Sequence, residues 1–212
     1  VDSPGYLPNV EALRAAQPKD LDASEIEVRL GATWIGSEYI QEFMEELLEP
    51  PFYLRRSIQV NFSEFTAEWN ISGKSSVGHS DINAYMTYGT ERANAYRILE
   101  DTLNLRDVRV YDTVQDPDGR ERRVLNSKET TLAQQKQQAI KDAFRDWIWK
   151  DPDRRRDLVD RYNERFNSLR PREYDGQHIV FSGMNPELSL REHQRNAVAH
   201  ILYGGNTLLA HE

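Results

Sequence analysis

Arginine is the residue type whose spacing first suggests chemistry in this chain. Arg154, Arg155 and Arg156 are followed by Arg161, Arg165, Arg170 and Arg172. Guanidinium groups bind phosphate oxygens in pairs, so such a run can follow a phosphate backbone. A second reading competes with it. Arg156 precedes Asp160, and Asp157 precedes Arg161, by four positions each, so the same run can be a salt-bridged helix surface. Trp34, Trp69, Trp147 and Trp149 add aromatic faces of the kind that stack on unpaired bases. Trp147 falls on an apolar helical stripe and reads as core, whereas Trp149 falls off it. The residues expected at a nucleic-acid surface are therefore Arg154, Arg155, Arg161, Arg165 and Trp149. Nothing else reads as catalysis or metal binding. The chain has no cysteine. His193 and His200 stand two helical turns apart, too far for a simple shared ligand pair. His211-Glu212 opens a zinc-type pattern without completing it. No Ser-His-Asp arrangement can be argued from spacing, and the Tyr85 to Tyr96 segment reads as packing plus a cap.

These side chains need elements to hold them. Val10 to Ala16 is helical between prolines, and Leu21 to Ile26 opens a short helix. Ser37 is the expected N-cap of a helix carrying Ile40, Phe43, Met44, Leu47 and Leu48 on one face. Its other face holds Glu38, Glu42, Glu45, Glu46 and Glu49, read as solvated. Ser57 to Phe62 and Glu68 to Ser72 are strand-like, and Gly73 to Asp81 is a loop. Thr90 is the expected cap of a helix through Leu103. Val108 to Asp112 and Arg122 to Leu125 flank Asp116-Pro117-Asp118-Gly119, a hairpin signal. A helix begins near Thr131 with a Thr131–Gln134 capping box and carries Leu132, Ala139, Ile140, Ala143, Phe144, Trp147 and Ile148. Asp151-Pro152 starts the next, with Leu158, Val159, Tyr162, Phe166 and Leu169 inward. The two are expected to pack as a helical hairpin. After a linker with a short strand, His178 to Phe181, a last helix spans about Leu190 to Tyr203. Gly204-Gly205 stop it, and Thr207 to Ala210 reads as a buried strand.

The stretch Leu188-Ser189-Leu190-Arg191-Glu192-His193-Gln194-Arg195-Asn196-Ala197-Val198 resembles the adenine-recognising Q motif of superfamily-two helicases, in the form found in Swi/Snf-type and restriction-type motors. The resemblance implies that Gln194 pairs with the adenine edge, with Arg191 as a local helper. The runs Leu21 to Ile35, Ala95 to Leu105, Glu129 to Lys136 and Tyr162 to Asn167 resemble one family. It comprises the very large helicase–methyltransferase proteins of bacterial conjugative elements and phages. That resemblance implies a region between an upstream adenine-N6 methyltransferase-like part and a downstream helicase motor, ending just before the Walker A loop. It further implies DNA as the partner through the parent protein. ATP and Mg would belong to the parent and no cofactor to this fragment, which would be inactive as an enzyme by itself.

Bulk properties bound these readings. The 212 residues carry a formal net charge of −8, with 38% hydrophobic and 29% charged residues. A generic nucleic-acid-binding module is usually basic, so only a local basic strip is compatible. Ten Tyr, seven Phe and four Trp supply a core, which excludes a disordered chain. No apolar run reaches membrane-spanning length, and a cytoplasmic location is expected. Both ends read as cut from something longer. The expected fold is α+β, with small antiparallel hairpins and packed helices in the N-terminal part. The C-terminal part holds the helical hairpin and the Q-motif-like helix. The expected divisions are a loop-rich lead-in (1–20), an accessory domain (21–126), the helical hairpin (127–170) and a linker leading to the first elements of a motor lobe (171–212). The functional reading is an accessory segment that braces a DNA helicase or translocase-type ATPase and guides DNA. The alternative is a structural or protein-docking module touching neither nucleotide nor DNA, to which the acidic face at Glu38 to Glu49 would lend itself.

Overall fold

The computed structural model describes residues 7–116, 118–169, 172–185 and 187–209. The fold is α+β. In chain order the elements are α1 (Leu7–Ala16), α2 (Ser37–Leu48), α3 (Phe52–Arg55), β1 (Gln59–Ser63) and β2 (Glu68–Ser72). A π-helical turn (Asn83–Thr87), α4 (Ala95–Leu103), β3 (Tyr111–Gln115) and β4 (Glu121–Leu125) follow. Then come α5 (Ser127–Ile148), α6 (Pro152–Phe166) and α7 (Glu192–Gly204). Among the described residues, no helix is long and apolar enough to cross a membrane. The residues group into two compact units, one running from Lys19 to Asn167 and the other combining the stretch before Lys19 with the stretch from Ser168 onward. The division expected at 126/127 is not a boundary between units, because α5 packs into the same core as α2 and α4.

The larger unit is built around a two-stranded ribbon. Val60 faces Ile71 and Phe62 faces Trp69 across the antiparallel β1–β2 pair, and the last two rings lie 4.8 Å apart. An isolated ribbon leaves both edges open. Here α2 and α4 close them with side chains. Gln41 of α2 accepts from Val60 N–H at 2.8 Å and donates to Ile58 C=O. On the other edge Glu100 of α4 and Asn104, which caps its C-terminus, accept from the N–H groups of Ile71 and Trp69 at 2.7 and 2.9 Å. The core beneath holds Ile40, Phe43 and Met44 of α2, Tyr96 and Leu99 of α4, and Phe144 of α5.

Several local expectations shift. Asn94, not Thr90, caps α4, accepting from Arg97 N–H at 2.9 Å, while the Thr90 hydroxyl is held by its own turn with Ala93. Asn126 caps α5 five residues before the Thr131 box, and the Thr131 hydroxyl instead donates back to Ser127 C=O. Gly36 precedes α2, so Ser37 is its first residue rather than its cap. Leu21 to Ile26 forms a turn, not a helix, since both backbone groups of Leu21 are taken by the Asn163 amide. The buried stripe of α5 runs through Ala133, Gln137, Ile140, Phe144, Trp147 and Ile148, leaving Leu132 and Ala139 outside. Asp151 caps α6 as expected, accepting from Asp153 and Arg154 N–H. However, α6 meets α5 through its first turn, and its remaining length meets α2 and the 21–34 segment through Asp157, Arg161, Tyr162 and Asn163.

In the smaller unit, residues 172–185 lie along α7. Tyr174 stacks on His200 with ring centroids 4.4 Å apart, and Asn196 accepts from Gly176 N–H at 3.0 Å. His178 to Phe181 is turn and coil rather than a strand. Residues 207–209 form no strand either, and Leu208 is 90% exposed, because no neighbouring strand among the described residues pairs with them. Ala210, His211 and Glu212 lie outside the described residues, as do Pro4, Pro171 and Pro186 of the loop and linker segments and Arg170 of the basic run.

Candidate functional site

The arginine run does not form one surface. Arg154 is 6% exposed. Its guanidinium donates to the C=O groups of Ile148 and Trp147 at 3.1 and 2.9 Å and pairs with Glu42 at 3.1 Å, while lying 3.4 Å above the Trp147 ring. It closes the C-terminus of α5, where unsatisfied carbonyls and the helix dipole favour a cation, and is removed from any phosphate. Arg161 is held between Glu38 and Asp157 at 3.0 and 2.7 Å, and the bond to Glu38 raises its pKa. Arg155 is exposed and donates to Trp149 C=O. Arg156 pairs with Asp153 at 3.6 Å rather than with Asp160. Trp149 packs partly buried against the core. Arg165 stays exposed, its guanidinium 5.4 Å from the Phe166 ring.

The same contacts add partners to the acidic face of α2, which is exposed as expected. Besides Glu38 and Glu42, Glu46 accepts from Trp147 Nε1 at 2.7 Å and Glu45 accepts from Gln41 at 2.6 Å. Glu38, Glu42, Glu46 and Glu49 remain exposed, so the face is solvated while three of its carboxylates also reach across to α5 and α6. Burial and the 2.5 Å bond to Asp157 push the Tyr39 hydroxyl at this junction up to about 12.

Uncommitted cations collect elsewhere. A pocket of about 280 Å³ is lined by Arg29, Arg106, Lys141 and Arg145, with Asp107 as its carboxylate and Leu30 and Phe144 as apolar wall. Gln137, Lys141 and Arg145 are four apart on α5 and so share one ridge. Arg106 is paired with Glu68 at 2.6 Å and Arg145 with Asp142 at 3.4 Å. Arg29 and Lys141 form no ion pair among the described residues, nor does Arg165. Adjoining this pocket is a second of about 520 Å³, lined by Trp34, Tyr162, Phe166 and Glu27. Arg29 and Leu105 line both, so the two pockets form one groove.

Two local devices shape the groove. The first is the end of α4. Leu105 N–H donates to Thr102 C=O and Arg106 N–H to Asp101 C=O, the paired bonds of a Schellman ending. The position that usually takes glycine is Leu105, at φ +56° and 64% exposed. A left-handed leucine costs about 1–2 kcal/mol, and it stands as the ridge between the two pockets. The buried amide of Gln137 fastens this corner by donating to Thr102 Oγ1 and Arg106 C=O and accepting from Val108 N–H. The second device is Gly31, at φ +94°, where a Cβ would stand 2.4 Å from Leu103 C=O. Only glycine lets the 28–34 segment back onto α4, which sets Arg29 and Trp34 on the groove. Trp34 meets Tyr162 and Phe166 edge-on at 5.3 and 6.4 Å.

In the other unit, Gln194 is exposed in the first turn of α7, and its Oε1 accepts from Arg191 N–H at 2.9 Å. Gln194 thus closes the helix N-terminus, and its Nε2 has no partner among the described residues. Arg191 is the residue preceding α7, also exposed.

Reading the sequence missed the groove. Lys141 and Arg145 carried a signal, a like-charged pair four apart on a helix. So did Gln137, an amide inside an apolar stripe. Arg29 carried none, since it sits in a loop whose position depends on Gly31.

A family model described as a domain of unknown function (DUF8437) matches residues 29–168. No curated protein and no solved structure matches the chain.

Proposed function

We propose that this chain, which belongs to the DUF8437 family of domains of unknown function, is a DNA-contacting accessory segment of a cytoplasmic helicase or translocase-type ATPase. It braces the motor and holds DNA, and the ATP and Mg chemistry resides in the parent protein. The observation that carries the DNA contact is the groove, where Arg29 and Lys141 face an open concavity without a carboxylate partner. Polyanion backbones bind such sites by displacing counterions. Every cation lining the first pocket lies within the span matched by the family. The motor reading rests on the Q-motif likeness of Arg191 and Gln194. An exposed Gln194 with a free Nε2 suits an adenine edge, although its Oε1 serves the helix start. The docking alternative would use the acidic face of α2, three of whose glutamates, Glu38, Glu42 and Glu46, already hold Arg161, Arg154 and Trp147.

The experiment is a fluorescence-anisotropy titration of the chain with labelled DNA at several salt concentrations. Binding should be weak and fall steeply as salt rises, with a log–log slope of about −0.7 per contacted phosphate on a single strand. The Arg29→Glu, Lys141→Glu double variant should lower affinity at least about tenfold, since each change reverses a charge at the phosphate. Absence of binding at low salt, or indifference to the double variant, overturns the reading.

A further inference from the structure

We infer that the groove takes a single strand, stacking an unpaired base on the Trp34, Tyr162 and Phe166 ledge while Arg29 and Lys141 hold the adjoining phosphates. This inference rests on the DNA-contact reading above and specifies the form of DNA. Three observations carry it. The aromatic and cationic pockets are contiguous through Arg29 and Leu105. The aromatic pocket is about 520 Å³, within the roughly 300–1,000 Å³ usual for small-molecule sites. Phe166 is 52% exposed even though it packs edge-on against Trp34. A large apolar ring left open beside free cations matches the two things a single strand offers, a π face and a phosphate. Duplex DNA hides its base faces in the stack and would meet only the cations.

Arg165 strengthens the ledge. Its guanidinium lies 5.4 Å from the Phe166 ring and forms no ion pair among the described residues. It therefore supplies a further cation beside the ring, although it lines neither pocket of the groove. Leu105 has a role in the same geometry. Its left-handed backbone holds an apolar side chain up between base site and phosphate site, where it separates them as a wedge. Glu27 and Asp107 are the carboxylates lining the groove and oppose the binding.

The test uses three fluorescein-labelled probes: a 20-nucleotide oligo(dT), an abasic strand of the same length, and a 20-base-pair duplex. Wild type should bind oligo(dT) about tenfold more tightly than the abasic strand, because stacking is lost without bases. Phe166→Ala should bring oligo(dT) down to the abasic level and leave the abasic affinity unchanged. Phe166→Leu, which keeps bulk without a π face, should do the same, and Phe166→Trp should restore or strengthen binding. Arg29→Glu should weaken all three probes. Melting curves check that each variant folds. Equal affinity of wild type for oligo(dT) and the abasic strand overturns the single-strand inference and leaves DNA contact standing. A base preference that survives in both Phe166→Ala and Phe166→Leu overturns the assigned ledge. Loss of binding to every probe in wild type overturns both readings.

Discussion

A guanidinium with almost no exposed surface needs acceptors close by, and each of the three nitrogens of Arg154 has one, in two helix carbonyls and Glu42. Removing one partner of such a buried set strands the others. Glu42 is about half exposed, so its share of the penalty is softened by solvent. Arg154→Ala should therefore destabilise the larger unit by about 2–4 kcal/mol. Arg154→Lys should recover only part of this, because one ammonium cannot reproduce a planar fork. Chemical denaturation measures both. DNA affinity measured under folding conditions should not change for either variant. A selective loss of DNA binding at full stability would return Arg154 to the phosphate-contacting set.

The ribbon of β1 and β2 and the ribbon of β3 and β4 have the same strand length and opposite fates. Helical side chains close both edges of the first. The second is exposed along β4 and most of β3, and it is tied down at its root. There Asp112 accepts from Arg92 and from Asn126, both at 2.8 Å, and these bonds hold its carboxyl below the 3.8 of a free side chain. The sign follows from that depression. The anchor is fully present above the unfolded pKa and is lost as pH falls through the lower folded value. Amide hydrogen exchange in β3 and β4 should accelerate relative to α4 as pH drops from about 5 to about 3, after correction for intrinsic rates. Asp112→Asn, which keeps an acceptor that does not titrate, should abolish that difference. Elements of this kind were largely legible in the sequence. Alternation found both ribbons, and the 3.6-residue period found α2, α5 and α6. Caps were less legible, because Thr90 and Asn94, or Asn126 and Thr131, offer equivalent acceptors within one turn. The tertiary contact, not the local sequence, selects between them. The groove was illegible for a related reason. Its cations come from a loop, a helix end and a helix ridge, and only the fold of α4 against α5 and Gly31 brings them together.

On the scale of the molecule, the groove gathers cations on a chain whose formal net charge is −8. A polyanion must cross that field before the local attraction prevails. The field is screened over about 10 Å at 0.1 M salt. Neutralising the groove's own carboxylates, in the Glu27→Gln, Asp107→Asn double variant, should raise affinity for oligo(dT) about 2- to 10-fold near 50 mM salt. The gain should shrink towards nothing near 0.5 M salt. An affinity that does not rise at low salt would mean that the strand passes outside these two side chains. The bare β3–β4 ribbon bears on the molecule in another way. At its tip Gly119 has φ +74°, and a Cβ there would meet nothing within 4 Å. Backbone that contributes no buried surface is where a chain tolerates being opened. The bond between Asp118 and Gly119 is thus a place to splice in a reporter domain or to create new termini by circular permutation. A fluorophore carried there would ride on a lever rooted at Asp112, leaving the groove and the packed helices as they are.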